Sequence, residues 1–173
     1  MPLVPLSSRK YQQGYAVKSI SKSYVLKPGL SYIKPTRYES YLKAYYRAIR
    51  LGCDEALLTN QHGAVSEGSR TNLFIVKKGR LITPRLQSGC LQGIIRQVVL
   101  KGAKRLGIPV SEVKVVLKDV ADCEEAFLTN SLIGIMPLTR MNGKKIGHGT
   151  MGPLTKRIHR RFLQLELRAR DFA

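Results

Sequence analysis

After Thr36 the apolar positions of the chain recur first with the period of a helix and then with that of strands. Tyr38, Tyr41, Leu42, Tyr45 and Ile49 stand at i, i+3, i+4, i+7 and i+11, along one helical face. Thr36-Arg37-Tyr38-Glu39 has the S/T-x-x-E form of a capping box, and Gly52 suits the position just past the helix end. The pattern then changes to that of strands. Glu55–Thr59, Ala64–Glu67, Asn72–Val76 and Arg80–Thr83 read as strands joined by turns at His62-Gly63 and Lys77-Lys78-Gly79, in the order of an antiparallel meander that Pro84 ends. Gly93 opens a second helix with Ile95, Val98, Val99 and Leu106 on one face, closed by Gly107 with Pro109 beyond. Further strands are predicted at Glu112–Leu117, Glu125–Thr129 and Ile133–Pro137, with a short helical turn near Val120–Cys123. Asn142-Gly143 predicts a hairpin, because both central residues of a type I′ turn need positive φ. Pro153 sits where a first helical turn tolerates proline, and Leu154, Ile158, Phe162 and Leu165 then face inward.

Residues 1–30 show no clean period and contain Pro2, Pro5, Gly14, Pro28 and Gly29, so they read as an irregular arm with one short strand near Tyr15–Ile20. Residues 31–173 then form a single α+β domain, a pseudo-barrel of mostly antiparallel sheet with packed helices. A length of 173 residues with 43% hydrophobic content supports one core and is short for two. No apolar run reaches the roughly 18 residues of a membrane span, and the first 30 residues lack a secretory apolar region, so a soluble, cytoplasmic protein without membrane association is expected. Cys53, Cys90 and Cys123 are odd in number and far apart, which predicts free thiols rather than a disulfide framework. His62, His148 and His159 stand apart from other ligand-type residues, and no metal is expected.

Charge changes the picture of the surface. The net charge is +19, and residues 1–50 alone carry ten Lys or Arg against Glu39. The C-terminal stretch adds Lys156, Arg157, Arg160, Arg161, Arg168 and Arg170. Such a field attracts polyanions. Aromatic residues do not interleave with the cations in the manner that stacks bases, so specific nucleic-acid binding is not expected, and the basic surface is read as solvated or as facing an acidic partner.

The candidate chemistry lies in Asp54-Glu55-Ala56-Leu57-Leu58-Thr59-Asn60-Gln61-His62-Gly63-Ala64-Val65-Ser66-Glu67-Gly68-Ser69-Arg70-Thr71-Asn72-Leu73-Phe74-Ile75-Val76, with Lys34 upstream and Leu91-Gln92-Gly93-Ile94-Ile95-Arg96 downstream. From about Ile33 to about Arg161 the chain resembles the C-terminal half of the class IV aminotransferases. These are fold-type IV pyridoxal 5'-phosphate enzymes that include branched-chain aminotransferase, D-amino-acid aminotransferase and aminodeoxychorismate lyase. The resemblance implies that cofactor, with Lys34 as its Schiff-base amine. Ile33-Lys34-Pro35-Thr36-Arg37-Tyr38 is similar to the family's Lys-x-x-Asn-Tyr, with Arg37 in place of asparagine. It further implies that Tyr38 orients the ring hydroxyl and that Glu67 pairs with the pyridine nitrogen. Gly93, Ile94 and Ile95 would cradle the phosphate through their amides at a helix N-terminus, with Ile95 in place of the family's threonine. Ser131 stands where the family has a hydroxyl at the phosphate, and Arg70 and Asn130 are the candidates for substrate contact.

Read without the resemblance, these residues have plainer roles. Lys34 is a solvated cation, Glu67 an edge-strand carboxylate beside a Gly68 bulge, and Gly93 a loop-to-helix turn. Tyr38 belongs to the apolar stripe of the first helix, Ser131 to a strand end, and Arg70 and Arg96 are surface or structural cations.

Two substrate readings compete within the family. Glu67-Gly68-Ser69-Arg70-Thr71-Asn72 and Gly149-Thr150-Met151-Gly152-Pro153-Leu154-Thr155-Lys156-Arg157-Ile158 resemble branched-chain aminotransferases, which implies an amino acid and a 2-oxo acid as substrates. Thr129-Asn130-Ser131-Leu132-Ile133-Gly134-Ile135-Met136-Pro137 is closer to aminodeoxychorismate lyase, which would release pyruvate and 4-aminobenzoate. A third reading is a non-catalytic remnant or subunit that binds polyanions. Family members carry an N-terminal domain that supplies an arginine to the phosphate, so a homodimer or a complementing N-terminal-domain chain is the expected partner.

Overall fold

The structure is a computed structural model that describes residues 7–21 and 38–170, the side chains of 165–170 excepted. In chain order its elements are α1 (Ser8–Gln13), β1 (Tyr15–Ser21), α2 (Glu39–Arg50), β2 (Glu55–Thr59), β3 (Ala64–Gly68), β4 (Asn72–Lys77) and β5 (Arg80–Pro84). After a 3-10 turn at Leu86–Ser88 come α3 (Ile94–Arg105), β6 (Val110–Val113), β7 (Val115–Val116), α4 (Leu117–Ala121), β8 (Glu125–Asn130), β9 (Gly134–Met141), β10 (Lys144–Lys145) and α5 (Pro153–Arg170).

Strands buried along their whole length need cover on both faces, and that requirement shapes the molecule. The hydrogen-bonded order is β6-β5-β4-β8-β9-β1-β2-β3-β7, with β10 on β9. Most ladders are antiparallel; β1 runs parallel to both β2 and β9, and β5 parallel to β6. β6 and β7 sit at opposite ends of this path, yet only Lys114 separates them in sequence. The two edges therefore meet, and the sheet curls around an enclosed core. Val17, Leu57 and Val65 reach that core from one half, and Leu73, Ile75, Leu128 and Met136 from the other.

The alternate residues of the same strands point outward under helices. Phe74, Val76, Phe127 and Ile135 are covered by Val99 and Ala103 of α3 and Ile158 and Phe162 of α5, with Phe74 and Phe127 stacked at 4.9 Å. Ala56 and Leu58 are covered by Tyr41, Ala44 and Ala48 of α2. The expected α+β pseudo-barrel with packed helices is what forms.

Several elements differ from the sequence reading. The arm contributes a helix the sequence did not announce, α1, while the short strand expected near Tyr15–Ile20 forms as β1, between β9 and β2. The capping box at Thr36 lies outside the described residues, and α2 begins at Glu39 with no side-chain cap. Its inward line is Tyr41, Ala44 and Ala48, while Leu42 and Ile49 are exposed, because the small alanines let the helix approach β2 closely. The meander is broken: β3 and β4 form no ladder, since a sheet covered on both faces carries the chain across to its other half at residues 68–71. The strand expected over Glu112–Leu117 is divided at Lys114 between the two sheet edges, and the helical turn begins earlier, at Leu117. Leu165 lies among the undescribed side chains. The Asn142-Gly143 turn has φ of 53° and 81°, as a type I′ hairpin demands.

A buried carboxylate organises the last helix. Glu125 accepts the Leu154 and Thr155 amides at 3.0 and 2.7 Å, so β8 caps the N-terminus of α5 and answers its dipole. Gly152 is required beside it, because a Cβ there would overlap the Glu125 carboxyl. Glu125→Ala is expected to lower stability by about 2 kcal/mol, with two amides left without acceptors. Denaturant unfolding of the two proteins measures this, and equal midpoints would refute the cap.

Candidate active site

The seam between β3 and β4, where the backbone ladder stops, is bridged by polar side chains. Glu67 of β3 is 5% exposed. Its Oε2 accepts the Leu91 amide at 2.8 Å and the Asn72 side-chain amide at 3.2 Å, and its Oε1 accepts the Tyr41 hydroxyl at 3.3 Å. Asn72, the first residue of β4, also donates to the Leu91 carbonyl at 2.8 Å. The carboxylate is thus tied to the loop that leads into α3. Gly93 caps that helix, and a Cβ on it would run into Asn72 Oδ1. No side chain caps α3, and Ile94 is 74% exposed, so its first-turn amides remain available to an anion.

Tyr38 approaches from the other side. Its ring stacks on Tyr41 at 5.1 Å, and its hydroxyl donates to the Ser69 carbonyl at 2.6 Å. Burial, then the neighbouring Glu67 and Glu55, push its pKa to about 12, so it stays a proton donor. The turn it grips is held from below by Glu55, which is fully buried. Glu55 Oε1 accepts from the Ser69 hydroxyl and, at 3.2 Å, from the Ser69 amide.

The structure brings Tyr38, Glu67 and Gly93 together through Tyr41, Asn72 and Leu91. It treats the other expected residues differently. Lys34 lies outside the described residues. Ile95 is half-buried against the α3 core cluster. Arg70 stands over the Tyr45 ring at 3.6 Å, with its Nε 3.8 Å from Glu55. Asn130 is engaged within the chain: it donates to the Arg70 carbonyl at 3.0 Å and accepts the Leu132 and Ile133 amides. Ser131 is exposed at the tip of the same turn. Arg96 is a structural cation, 2% exposed, donating to the Pro84 carbonyl at 3.0 Å and to Glu112 at 2.6 Å.

Sequence reasoning passed over Asn72, Tyr41, Glu55 and Ser69. Asn72 carried a signal, because asparagine is a poor strand former and must be kept there for its side chain. Tyr41 was hidden in an apolar stripe, and nothing in the order of residues announces that Glu55 points inward. Among the described residues no group of His, Cys, Asp and Glu suits a metal ion.

This arrangement can be set beside known proteins. The family described as amino-transferase class IV matches residues 2–141. The chain belongs to that family. It is 38% identical over 128 residues to the branched-chain-amino-acid aminotransferase of Escherichia coli K12, a stretch that is 74% of this chain and 41% of that one. The solved Escherichia coli branched-chain aminotransferase superposes with a TM-score of 0.82 and 34% identity, over 89% of this chain and 52% of that chain. The branched-chain aminotransferase from Thermoproteus uzoniensis, solved with norvaline, gives 0.79 and 29%, over 95% and 54%. A further solved branched-chain aminotransferase, with pyridoxamine 5'-phosphate, gives 0.81 and 29%, over 93% and 53%. The chain thus spans about half the length of the relatives it matches. No helix among the described residues is long and apolar enough to cross a membrane.

In this class IV chain the electrostatics of Glu67 stand out. Burial pushes its pKa up to about 8, opposed by the Leu91 amide and the Tyr41 hydroxyl and reinforced by Glu55. Among the described residues it has no ion-pair partner. Burial, then Glu67, also pushes the Cys90 thiol to about 12, which leaves it protonated and unreactive. Because folded Glu67 keeps its proton to higher pH than the unfolded carboxyl, at about 4.5, its contribution to stability is fully present below 4.5 and is lost as pH rises to about 8. Glu67→Gln lacks this loss. Thermal melts of the ligand-free proteins from pH 5 to 8.5 should show the wild type falling relative to the variant by a few kcal/mol at most, and parallel curves would contradict the shift.

Proposed function

We propose that this chain is the cofactor-holding part of a pyridoxal 5'-phosphate aminotransferase that moves an amino group from a branched-chain-like amino acid to a 2-oxo acid. The observation that carries the reading is Glu67: a buried carboxylate without an ion-pair partner among the described residues, fixed by three hydrogen bonds at the foot of an uncapped helix. Such a group is suited to a cation seated beside it, and the pyridine nitrogen of the cofactor becomes that cation on protonation. The α3 amides suit a phosphate, and the Tyr38 oxygen, whose proton goes to the Ser69 carbonyl, is left to accept from a ligand hydroxyl.

The chemistry this cofactor supplies when bound is an aldehyde for the amino group and an electron sink for the substrate α-carbon. The chain's own work is binding and proton control. Lys34 is assigned as the amine that would hold the aldehyde and, once the substrate's amino group has displaced it, would move the proton at the α-carbon. Glu67 would pass its proton to the ring nitrogen and, as the carboxylate left behind, would hold it there. Its hydrogen bonds from Leu91, Asn72 and Tyr41 keep the carboxylate from turning away. Gly93, Ile94 and Ile95 fix one end of the ligand, and Ser131 is a further hydroxyl for that end. Arg70, exposed on an otherwise buried turn, is the candidate for a substrate carboxylate.

Borohydride reduction of the cofactor-loaded chain, followed by peptide mapping, should place the label on Lys34, and a label on another lysine would overturn that assignment. Glu67→Gln should hold the cofactor yet slow single-turnover transfer from leucine by two to four decades, about 3–5 kcal/mol of transition-state stabilisation. An unchanged rate defeats the role of Glu67. Pyruvate released from aminodeoxychorismate, with no transfer from leucine, would instead select the lyase reading that residues 129–137 resemble.

A further inference from the structure

Glu67 is one of two buried carboxylates at the seam, and the other has no part in the function proposed above. Glu55, the first residue of β2, has no exposed surface. Its Oε1 accepts three donors: the Ser69 hydroxyl, the Ser69 amide at 3.2 Å and the Ala56 amide at 2.8 Å. Its Oε2 faces the Thr71 hydroxyl at 3.5 Å and Arg70 Nε at 3.8 Å. Every one of these groups except Ala56 belongs to the turn that joins β3 to β4. Gly68 at the head of this turn has no room for a Cβ, which would meet the Thr71 hydroxyl and the Glu55 side chain.

A carboxylate with this many internal donors is a strut, and what it supports is functional. The Ser69 carbonyl receives the Tyr38 hydroxyl at 2.6 Å. The Arg70 carbonyl receives the Asn130 amide at 3.0 Å, while the Arg70 guanidinium leans on the Tyr45 ring. Glu67 and Asn72 flank the turn on either side. We infer that Glu55 is the positioning residue of this site, holding the Ser69–Thr71 turn so that Tyr38 stands fixed near Glu67, and Arg70 on its turn, before any ligand arrives. The inference rests on the aminotransferase reading for the purpose of the site, though not for its geometry.

Glu55 also acts on Glu67 across the seam. The charged groups that bear on Glu67 are Glu55 from β2 and Arg96 from α3; the Tyr41 hydroxyl, the Leu91 amide and the Asn72 amide bond it directly, and the Tyr38 hydroxyl and the Cys90 thiol, both pushed up to about 12, lie near it uncharged. Of these, Glu55 is the one whose negative charge makes Glu67 hold its proton more tightly. Burial pushes the pKa of Glu55 up as well, opposed by the Ser69 donors, the Ala56 amide and Arg70, which favour its charged form. A residue that only filled space in the core would leave the titration of Glu67 untouched.

The test uses the full ligand-free chain with its carboxyl carbons labelled. In Glu55→Gln the amide oxygen can keep the three donors on Oε1, while the amide nitrogen turns against Arg70, so the fold is retained and the charge is lost. The Glu67 titration midpoint should fall by roughly half a pH unit or more. Amide exchange at residues 69–71 should quicken about tenfold, with Phe74 and Phe127 in the sheet unchanged. Ser69→Ala, which keeps the Glu55 charge and removes the hydroxyl donor, should quicken the turn and leave the Glu67 midpoint higher than in Glu55→Gln. An unmoved midpoint in Glu55→Gln, or a turn whose exchange is unaffected in both variants, overturns the inference. A wild-type chain that takes up no pyridoxal phosphate, judged by its visible absorption, would count against the proposed function alone, since the titration and exchange require no cofactor.

Discussion

The hydrogen bonds that join Glu67, Asn72 and Leu91 hold the two halves of the sheet at the place where the backbone ladder lapses. β3 belongs to the half covered by α2, and β4 to the half covered by α3 and α5. Without a ladder between them, the seam would present unpaired polar groups to the interior, which is costly unless they are satisfied. Asn72 answers this by bonding both a carboxylate of one half and a carbonyl of the loop above the other. The site follows from the topology: a closed sheet of this order must have a seam, and polar residues are concentrated there because backbone pairing is not.

The same constraint explains what could be read from the sequence. Glu55–Thr59, Asn72–Val76 and Glu125–Thr129 were legible because strands buried on both faces form short apolar runs bounded by turn residues. The Asn142-Gly143 turn was legible because both residues take a positive φ that few others adopt. The division of residues 110–116 between two sheet edges was not, since both pieces are extended and only the closure of the sheet separates them. Helix α1, six residues long with no buried member, has too weak a pattern to register. Within the site, Glu67 and Gly93 were visible through motif resemblance. Glu55 and Tyr41 were not, because burial of a carboxylate or the reach of a hydroxyl depends on what the fold sets opposite them.

Charge is divided between the surface and the seam. Of the carboxylates described, Glu55, Glu67 and Glu125 are buried, while Glu39, Asp54, Glu112, Asp119 and Asp122 each lie in an ion pair with a Lys or Arg. Of these pairs Glu39 with Lys43 and Asp122 with Lys118 are exposed and contribute little to stability, whereas Arg96 is buried and its pair with Glu112 is part of the structure. Few negative charges are left to offset the exposed cations. α3 presents Lys101, Lys104 and Arg105, and α5 presents Lys156, Arg157, Arg160 and Arg161, none in an ion pair among the described residues. The effect of these cations is on the field, which draws small anions from solution and is screened within about 8–10 Å at physiological salt.

An anion drawn in by that field meets an opposite demand at the seam. The α3 amides favour a negative group, whereas Glu67 and Glu55, two acids sharing a buried region, favour a positive one. A ligand with a phosphate at one end and a protonatable nitrogen at the other satisfies both, and a simple anion satisfies only the first. Proton affinity then becomes the means of selection. On the proposed function, Glu67, pushed up to about 8, keeps its proton against water and would pass it to the ligand's nitrogen, leaving a carboxylate beside the cation so formed. The burial that makes this carboxylate costly to the folded chain is what makes it responsive to the ligand.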